Sequence, residues 1–159
     1  MSDIEHTLGA VAYAIEKPNK IVEQWMPKLA NETGDDFTPS AGRGHRRKFS
    51  VSMIARLAVM RHMIENGCPI VSAQAIALSI INVTGATNRN DLLAHWWIRD
   101  MGEPHFYGRV IPNGAKLNWW EIEGELGFQH GEETTVSLTP IRPIVAKALN
   151  RLGEFNETT

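Results

Sequence analysis

The stretch that decides how this chain is interpreted reads Gly42-Arg43-Gly44-His45-Arg46-Arg47-Lys48-Phe49-Ser50. Four of its nine residues carry a fixed positive charge, whereas the whole chain has a net charge of −2. The two glycines loosen the backbone, and Ser50 has a side chain typical of a helix N-cap. A basic loop at the start of a helix suits contact with a polyanion such as DNA, although a solvated surface loop has the same composition.

Length and charge distribution limit what this loop can do. The 159 residues fit one domain of ordinary size or two small ones, and a hydrophobic share of 43% is enough for a packed core. Residues 1–62 hold nine Lys and Arg against seven Asp and Glu, whereas residues 63–159 hold seven against eleven. Any contact with DNA is therefore expected to be local and geometrically defined.

Targeting signals and disulfides are not predicted. The sequence has no apolar run near the ~18 residues that a membrane span needs, and its first residues are acidic. Cys68 is the single cysteine, so no internal disulfide is possible, and we expect it to be a small buried or half-buried residue. We expect a cytoplasmic protein that does not contact the membrane.

Two short helices open the chain. Apolar residues at helical spacing predict a helix from the N-cap Thr7 to Ile15. A second helix is predicted from Pro18 or Asn19 to about Met26, with its outward residues at Lys20, Glu23 and Gln24. Such a pair, joined by a short turn, is a candidate helix-turn-helix.

Residues 31–40 are predicted to form a loop that includes one strand of a small hairpin around Phe37. After the basic stretch, Ser50 predicts the cap of a helix over Val51–Asn66, which Gly67 ends. Ser72 predicts the cap of the following helix, over about 73–82.

Short aromatic segments characterise the rest of the chain. The polar connection 83–90 predicts a boundary that divides the chain into domains 1–84 and 85–159. The Asn113-Gly114 pair predicts a type I′ hairpin, and Thr139-Pro140 opens a last helix that ends at Gly153. Strand-like segments are predicted at 94–99, 105–111, 116–122 and 134–138.

Four tryptophans mark this half as an interaction module. Adjacent residues of a strand point to opposite faces, so one member of each Trp pair is expected to leave the local core. We expect an interface with a dimer partner or another protein, and a small-molecule effector pocket is the alternative. The residues concerned are Trp96, Trp97, Trp119 and Trp120.

The order of these features resembles the MerR-type winged-helix DNA-binding domain. The likeness covers about residues 5–82 and lies in His6–Ala12, Pro18–Trp25, Gly42–Ser50, Ser50–Gly67 and Pro69–Ile80. It implies that the second helix enters the major groove, that Gly42–Ser50 forms a wing along the backbone or minor groove, and that the protein acts as a dimer on palindromic sites. The DNA contacts that it implies are Lys20, Gln24, Arg43, Arg46, Arg47 and Lys48, of which the first two reach base edges.

The chain departs from the family in two respects. Glu23 stands where the family usually has Arg, and Gln24 replaces an aromatic residue. A carboxylate there faces phosphate unfavourably or accepts a hydrogen bond from a cytosine amino group. The family's metal sensors use several cysteines, so the lone Cys68 does not support a thiolate metal site.

The sequence therefore predicts an α+β protein, with an N-terminal MerR-like winged helix-turn-helix followed by a small β-rich module and a C-terminal helix. The predicted function is sequence-specific binding to double-stranded DNA by a homodimeric bacterial or phage transcriptional regulator, with no cofactor or metal. Two alternatives stay open: a protein-interaction adaptor that has lost DNA binding, and a phage excisionase-like factor that bends DNA.

An enzyme is not predicted, because the nucleotide-binding and nucleophile-elbow motifs are absent from the sequence. The spacing of His95 and His105 matches no familiar metal motif. The alternation of Glu121, Glu123 and Glu125 is typical of the solvated face of a strand.

Overall fold

The computed structural model describes residues 6–25, 37–38, 48–79, 90–100, 103–127 and 136–158. It contains helices together with two small antiparallel sheets, so the predicted α+β class is confirmed. Among the described helices, none combines the length and the apolar character needed to cross a bilayer.

The N-terminal part alternates short strands with helices. In chain order its elements are β1 His6–Thr7, α1 Leu8–Ala14, α2 at 19–25, β2 Phe37–Thr38, β3 Lys48–Phe49, α3 Val51–Glu65 and α4 Ile70–Ser79. The middle strand of its sheet is β3, in which Phe49 lies opposite His6 on one side and Phe37 on the other. The strand predicted around Phe37 is confirmed.

The predicted caps of α1 and α3 are also confirmed. Thr7 Oγ1 accepts a hydrogen bond from the Ala10 amide at 3.3 Å, and Ser50 Oγ accepts one from the Met53 amide at 3.1 Å. Gly67, at φ 89°, follows the end of α3 in the left-handed conformation. The Cys68 amide then donates to the Met63 carbonyl at 3.0 Å, which satisfies one of the last carbonyls of the helix.

The start predicted for α4 is wrong. The helix begins at Ile70, and the Pro69 carbonyl accepts the first helical hydrogen bond from the Ala73 amide at 2.9 Å. Proline fits the start of a helix because an amide there would have no helical acceptor. Ser72 consequently lies inside the first turn and is not the cap.

The second sheet consists of β4 Leu92–Asp100, β5 Glu103–Ile111 and β6 Val136–Pro140, in the order β5-β4-β6. The predicted strands at 94–99 and 105–111 are thus confirmed, and so is the part of the strand predicted at 134–138 that lies within the described residues. The two faces of the sheet serve different cores, because side chains alternate along a strand. Leu93 joins the main core of the helices, whereas Leu92, Ala94 and Trp96 form a second cluster with Ile111 and Ile122.

The aromatic segment at 116–122 is not a strand. After a short 3₁₀ turn at Gly114–Lys116 it forms the helix α5, Trp119–Leu126. The Asn118 side chain accepts from the Glu121 amide at 3.0 Å, and the Glu121 carboxylate accepts from the Asn118 amide at 2.8 Å. This reciprocal capping box stabilises the start of a helix and overrides the preference of tryptophan for strands.

The type I′ hairpin at Asn113-Gly114 is wrong for a related reason. Asn113 does have a positive φ of 53°, but Gly114 begins the 3₁₀ turn that leads from β5 to α5. The Asp91 carboxylate accepts from the Asn113 amide at 2.9 Å and fixes the corner. A Cβ on Gly114 would lie 3.0 Å from side-chain atoms of Ile111 and Leu92, so the glycine permits a close approach.

The last helix, α6 Ile141–Thr158, continues past the end predicted at Gly153. The extra turn is held by Phe155, whose ring centre lies 5.6 Å from that of Tyr13 on α1. The buried side of α6 joins the main core beside α1 and α3, through Ile141, Val145, Ala148 and Leu152. This core therefore includes residues from both sides of the boundary predicted at residue 84, which itself lies outside the described residues.

Candidate functional site

The outward face of α2 is the first candidate site. Val22 and Trp25 are buried in the main core, whereas Lys20, Glu23 and Gln24 are exposed. These exposed residues fall at i, i+3 and i+4, so they share one side of the helix. The Gln74 side-chain amide donates to the Trp25 carbonyl at 3.2 Å and ties this end of α2 to α4. A core-anchored helix thus presents one cation, one anion and one amide to solvent.

The basic stretch is only partly described. Lys48 is exposed on β3, next to Phe49, which is buried in the core. The alternation of a strand accounts for this pair, since neighbouring residues point to opposite faces. The other predicted contacts of the wing, Arg43, Arg46 and Arg47, lie outside the described residues.

A charged network holds the turn between α1 and α2. Glu16 adopts a positive φ of 54°, and its carboxylate accepts hydrogen bonds from Arg61 on α3 and from Lys147 on α6, the latter at 2.9 Å. Arg151 lies 3.4 Å from the other carboxylate oxygen. Hydrogen bonds from Lys147 and Arg61 lower the pKa of Glu16 to about 2. Local sequence patterns carry no signal for this network, because its members are far apart in the chain.

The network continues on both sides of Glu16. Arg61 also pairs with Glu65 at 2.9 Å, and Lys17 lies 3.3 Å from the same carboxylate. The guanidinium of Arg151 lies 4.4 Å from the centre of the Tyr13 ring, and its Nε donates to the Tyr13 carbonyl at 3.1 Å. The helix-turn-helix candidate is therefore fixed to α3 and to α6 by charged side chains.

A small cavity opens beside this network. It has a volume of about 130 Å³ and lies between α1, α3 and α6, with Ala14, Ala58 and Ile144 among its lining residues. Arg61, Lys147 and Glu65 also line it, and they carry the hydrogen bonds of the network. Because those charges already pair with one another, the cavity offers a ligand mainly an apolar wall.

The tryptophans divide between core and surface. Trp96 is only 8% exposed and belongs to the second core cluster, whereas Trp97 on the opposite face is 43% exposed. The expected split of this pair is confirmed, and Trp96 is corrected from interface to core. Trp119 and Trp120 lie on α5 and are 46% and 77% exposed. They leave the core because of the helix, not because of the strand alternation expected from the sequence.

The two histidines considered for a metal site are separated by the sheet. His95 faces the main core and stacks on Phe106, with 5.5 Å between ring centres, and burial lowers its pKa. His105 lies opposite Ile98 in the register and so points to the other face. Within the described residues, no cluster of three or more His, Cys, Asp or Glu is arranged to hold a metal ion.

Cys68 is buried, as expected from the sequence. Its thiol donates to the Pro69 carbonyl at 3.4 Å, and burial raises the pKa of the thiol to about 11. A thiol with such a pKa holds little thiolate at neutral pH and is a poor nucleophile or metal ligand.

Comparisons with known proteins give no family for this chain. No family model, curated protein or solved structure matches it.

Proposed function

We propose that this protein is a sequence-specific DNA-binding regulator of transcription that reads the major groove with α2. The observation that carries the proposal is the exposed face of α2, on which Lys20 and Gln24 stand one helical turn apart. Lysine and glutamine recognise base edges in the major groove, chiefly guanine and adenine respectively. Val22 and Trp25 anchor the opposite side of the helix, so these groups are held in place before DNA arrives.

The order of the elements supports the same proposal. A helix pair is followed by the antiparallel strands β2 and β3, and then by two more helices. This is the sequence of elements expected of a MerR-like winged helix, in which the basic stretch begins after the first of the two strands and runs into the second. We propose that Arg43, Arg46, Arg47 and Lys48 neutralise phosphates there and supply affinity without sequence preference.

Glu23 gives the proposed surface a distinctive preference. It lies on the same side of α2 as Lys20 and Gln24 and is exposed. A carboxylate repels phosphates but accepts a hydrogen bond from the amino group of cytosine. We therefore assign Glu23 to a base edge, where it favours a cytosine amino group and disfavours a guanine or thymine acceptor at the same position.

Binding as a homodimer completes the proposal. Two copies of α2 would read the half-sites of a palindrome whose centres lie ~34–36 Å apart, one turn of the DNA helix. The distance between half-sites in the selected sequences tests whether the protein binds as a dimer. This test does not require the natural operator.

The experiment is a selection from random duplexes followed by titrations at several salt concentrations. We expect one enriched sequence and an affinity that falls steeply as salt rises, because counterions are released from phosphates. Arg46→Ala with Arg47→Ala should weaken binding to all duplexes equally, and Lys116→Ala, an exposed cation outside the proposed interface, serves as the control. Failure to enrich any sequence would contradict the regulator.

A second function has an observation of its own. The exposed Trp119 and Trp120 favour a protein-interaction adaptor, because exposed aromatic residues are typical of protein interfaces. An absence of DNA binding together with partner binding would support the adaptor. Strong bending of bound DNA without an effect on transcription would instead support the architectural alternative.

A further inference from the structure

The exposed side of α5 carries two adjacent tryptophans. Trp120 is 77% exposed and Trp119 is 46% exposed, so both indoles offer large surfaces to solvent. The helix itself is anchored, because Ile122 is buried in the second core cluster. The capping box between Asn118 and Glu121 fixes its first turn. This surface is therefore presented by an ordered helix and not by a terminus or loop.

The helix that carries these indoles is acidic, and one of its carboxylates lies beside them. The eight residues of α5 include Glu121, Glu123 and Glu125 and contain no Lys or Arg. Glu123 follows Trp120 by three residues and Trp119 by four, so it lies on the side of the helix that they share. Glu125 stands near the C-terminal end, where the helix dipole is also negative. The nearby Arg109 side chain donates a hydrogen bond to the main-chain carbonyl of Glu125. This hydrogen bond does not involve the carboxylate of Glu125.

We propose that the Trp119–Trp120 side of α5 binds an arginine-rich segment of a partner protein. A guanidinium stacks on the face of an indole through a cation–π contact, and the same group donates two parallel hydrogen bonds to a carboxylate. Arginine suits this surface better than lysine because its planar group serves both contacts at once. The combination of two exposed indoles with Glu123, on a helix that carries only acidic charges, thus selects the partner by charge as well as by shape.

Charge also argues against the other occupants. A symmetric contact of α5 with α5 of a second copy would bring the carboxylates of both helices together, and such like charges oppose association. DNA is polyanionic and is repelled for the same reason. The inference stands apart from DNA binding, since it uses a different surface and predicts a different ligand.

The test is a titration of the full chain with a short synthetic peptide of alternating arginine and glycine. Isothermal calorimetry measures affinity, and the NMR signals of the indole N–H groups report which tryptophans respond. We expect saturable binding that shifts the Trp119 and Trp120 signals. Affinity should be several-fold weaker for the lysine version of the peptide, and binding should be lost for the glutamine version.

Variants identify the surface. Trp120→Ala should lower the affinity by about tenfold or more, as expected for the central residue of an interface. Trp97→Ala is the matched control, because Trp97 is also exposed but lies on β4. Glu123→Gln should weaken binding and reduce its dependence on salt, and Glu125→Gln, on another side of the helix, should do so less. Thermal unfolding of each variant verifies that it is folded, and DNA binding of Trp120→Ala should be unchanged.

Several results would overturn the inference. They are a failure of the arginine peptide to saturate, equal binding of the glutamine peptide, and an equal loss in Trp97→Ala and Trp120→Ala. A molecular mass in solution that falls from dimer to monomer on Trp120→Ala would assign α5 to a second copy and would equally overturn it. None of these outcomes depends on whether the chain binds DNA.

Discussion

The carboxylate of Glu16 lies 2.9 Å from the ammonium of Lys147, across 131 residues of sequence. Through this contact the turn between α1 and α2 is attached to the C-terminal helix, and Arg61 joins the same carboxylate from α3. The orientation of α2 in the molecule thus depends on a helix that the sequence assigns to a different module.

Removal of the Glu16 charge should destabilise the fold modestly. Glu16→Gln keeps the size of the side chain but weakens its contacts with Lys147, Arg61 and Arg151. We expect a loss of about 1 kcal/mol in the free energy of unfolding, because partly exposed ion pairs each contribute little and only their network adds up. Urea unfolding at neutral pH measures the loss. Glu157→Gln, at an exposed position of the last helix, should change stability far less.

The same carboxylate predicts a pH dependence. Its pKa in the folded protein is about 2, below the ordinary value of 4.5. A carboxyl group whose pKa is lower in the folded than in the unfolded chain stabilises the fold at any pH above its unfolded pKa. This contribution is lost as the pH falls from about 4.5 towards 2. The stability difference between the native chain and Glu16→Gln should therefore shrink over that interval. A difference that stays constant down to pH 2 would contradict the assigned network.

The contact between the second sheet and α4 predicts a packing defect. A Cβ on Gly108 would collide with Cδ1 of Ile76, so Gly108→Ala should cost ~1–3 kcal/mol of stability. Because Ile76→Val removes that terminal methyl group, the double variant should recover part of the loss. Chemical unfolding of the two single variants and the double variant gives the coupling energy. Simple additivity of the two losses would show that the residues do not meet.

The cap of α3 supplies a further prediction. Ser50→Ala removes the acceptor of the Met53 amide and should lower stability by about 1 kcal/mol. Ser52→Ala, one residue into the helix, is the matched control, because Ser52 has no capping role. An equal effect of the two substitutions in thermal unfolding would contradict the capping role of Ser50.

Local signals in the sequence account for much of the fold. Thr7, Ser50 and Gly67 predict helix ends because each acts through a hydrogen bond or a backbone conformation set within a few residues. The first two strands of the second sheet follow from short aromatic-rich segments separated by turn residues, and the third follows from an alternating segment. The outward positions of Lys20, Glu23 and Gln24 follow from the periodicity of a helix, and the structure places all three in solvent.

The sequence-based predictions fail where side-chain hydrogen bonds or tertiary contacts override the local preference of a residue. Tryptophan favours strands, yet the capping box of Asn118 and Glu121 makes 119–126 helical. Gly153 predicts a helix end, but the packing of Phe155 on Tyr13 continues α6 beyond it. The partners of Glu16 were equally beyond prediction, since charged residues 45 and 131 positions away are brought together only by tertiary packing.

The most direct test of the central claim is the base preference of α2 variants in a selection from random duplexes. We expect an enriched site for the native chain, and a change of preference at one or two base pairs in Gln24→Ala and in Lys20→Ala. Each lost base contact should reduce discrimination by ~1–3 kcal/mol. An enriched site that is identical for the native chain and for both variants would contradict the claim that α2 reads DNA.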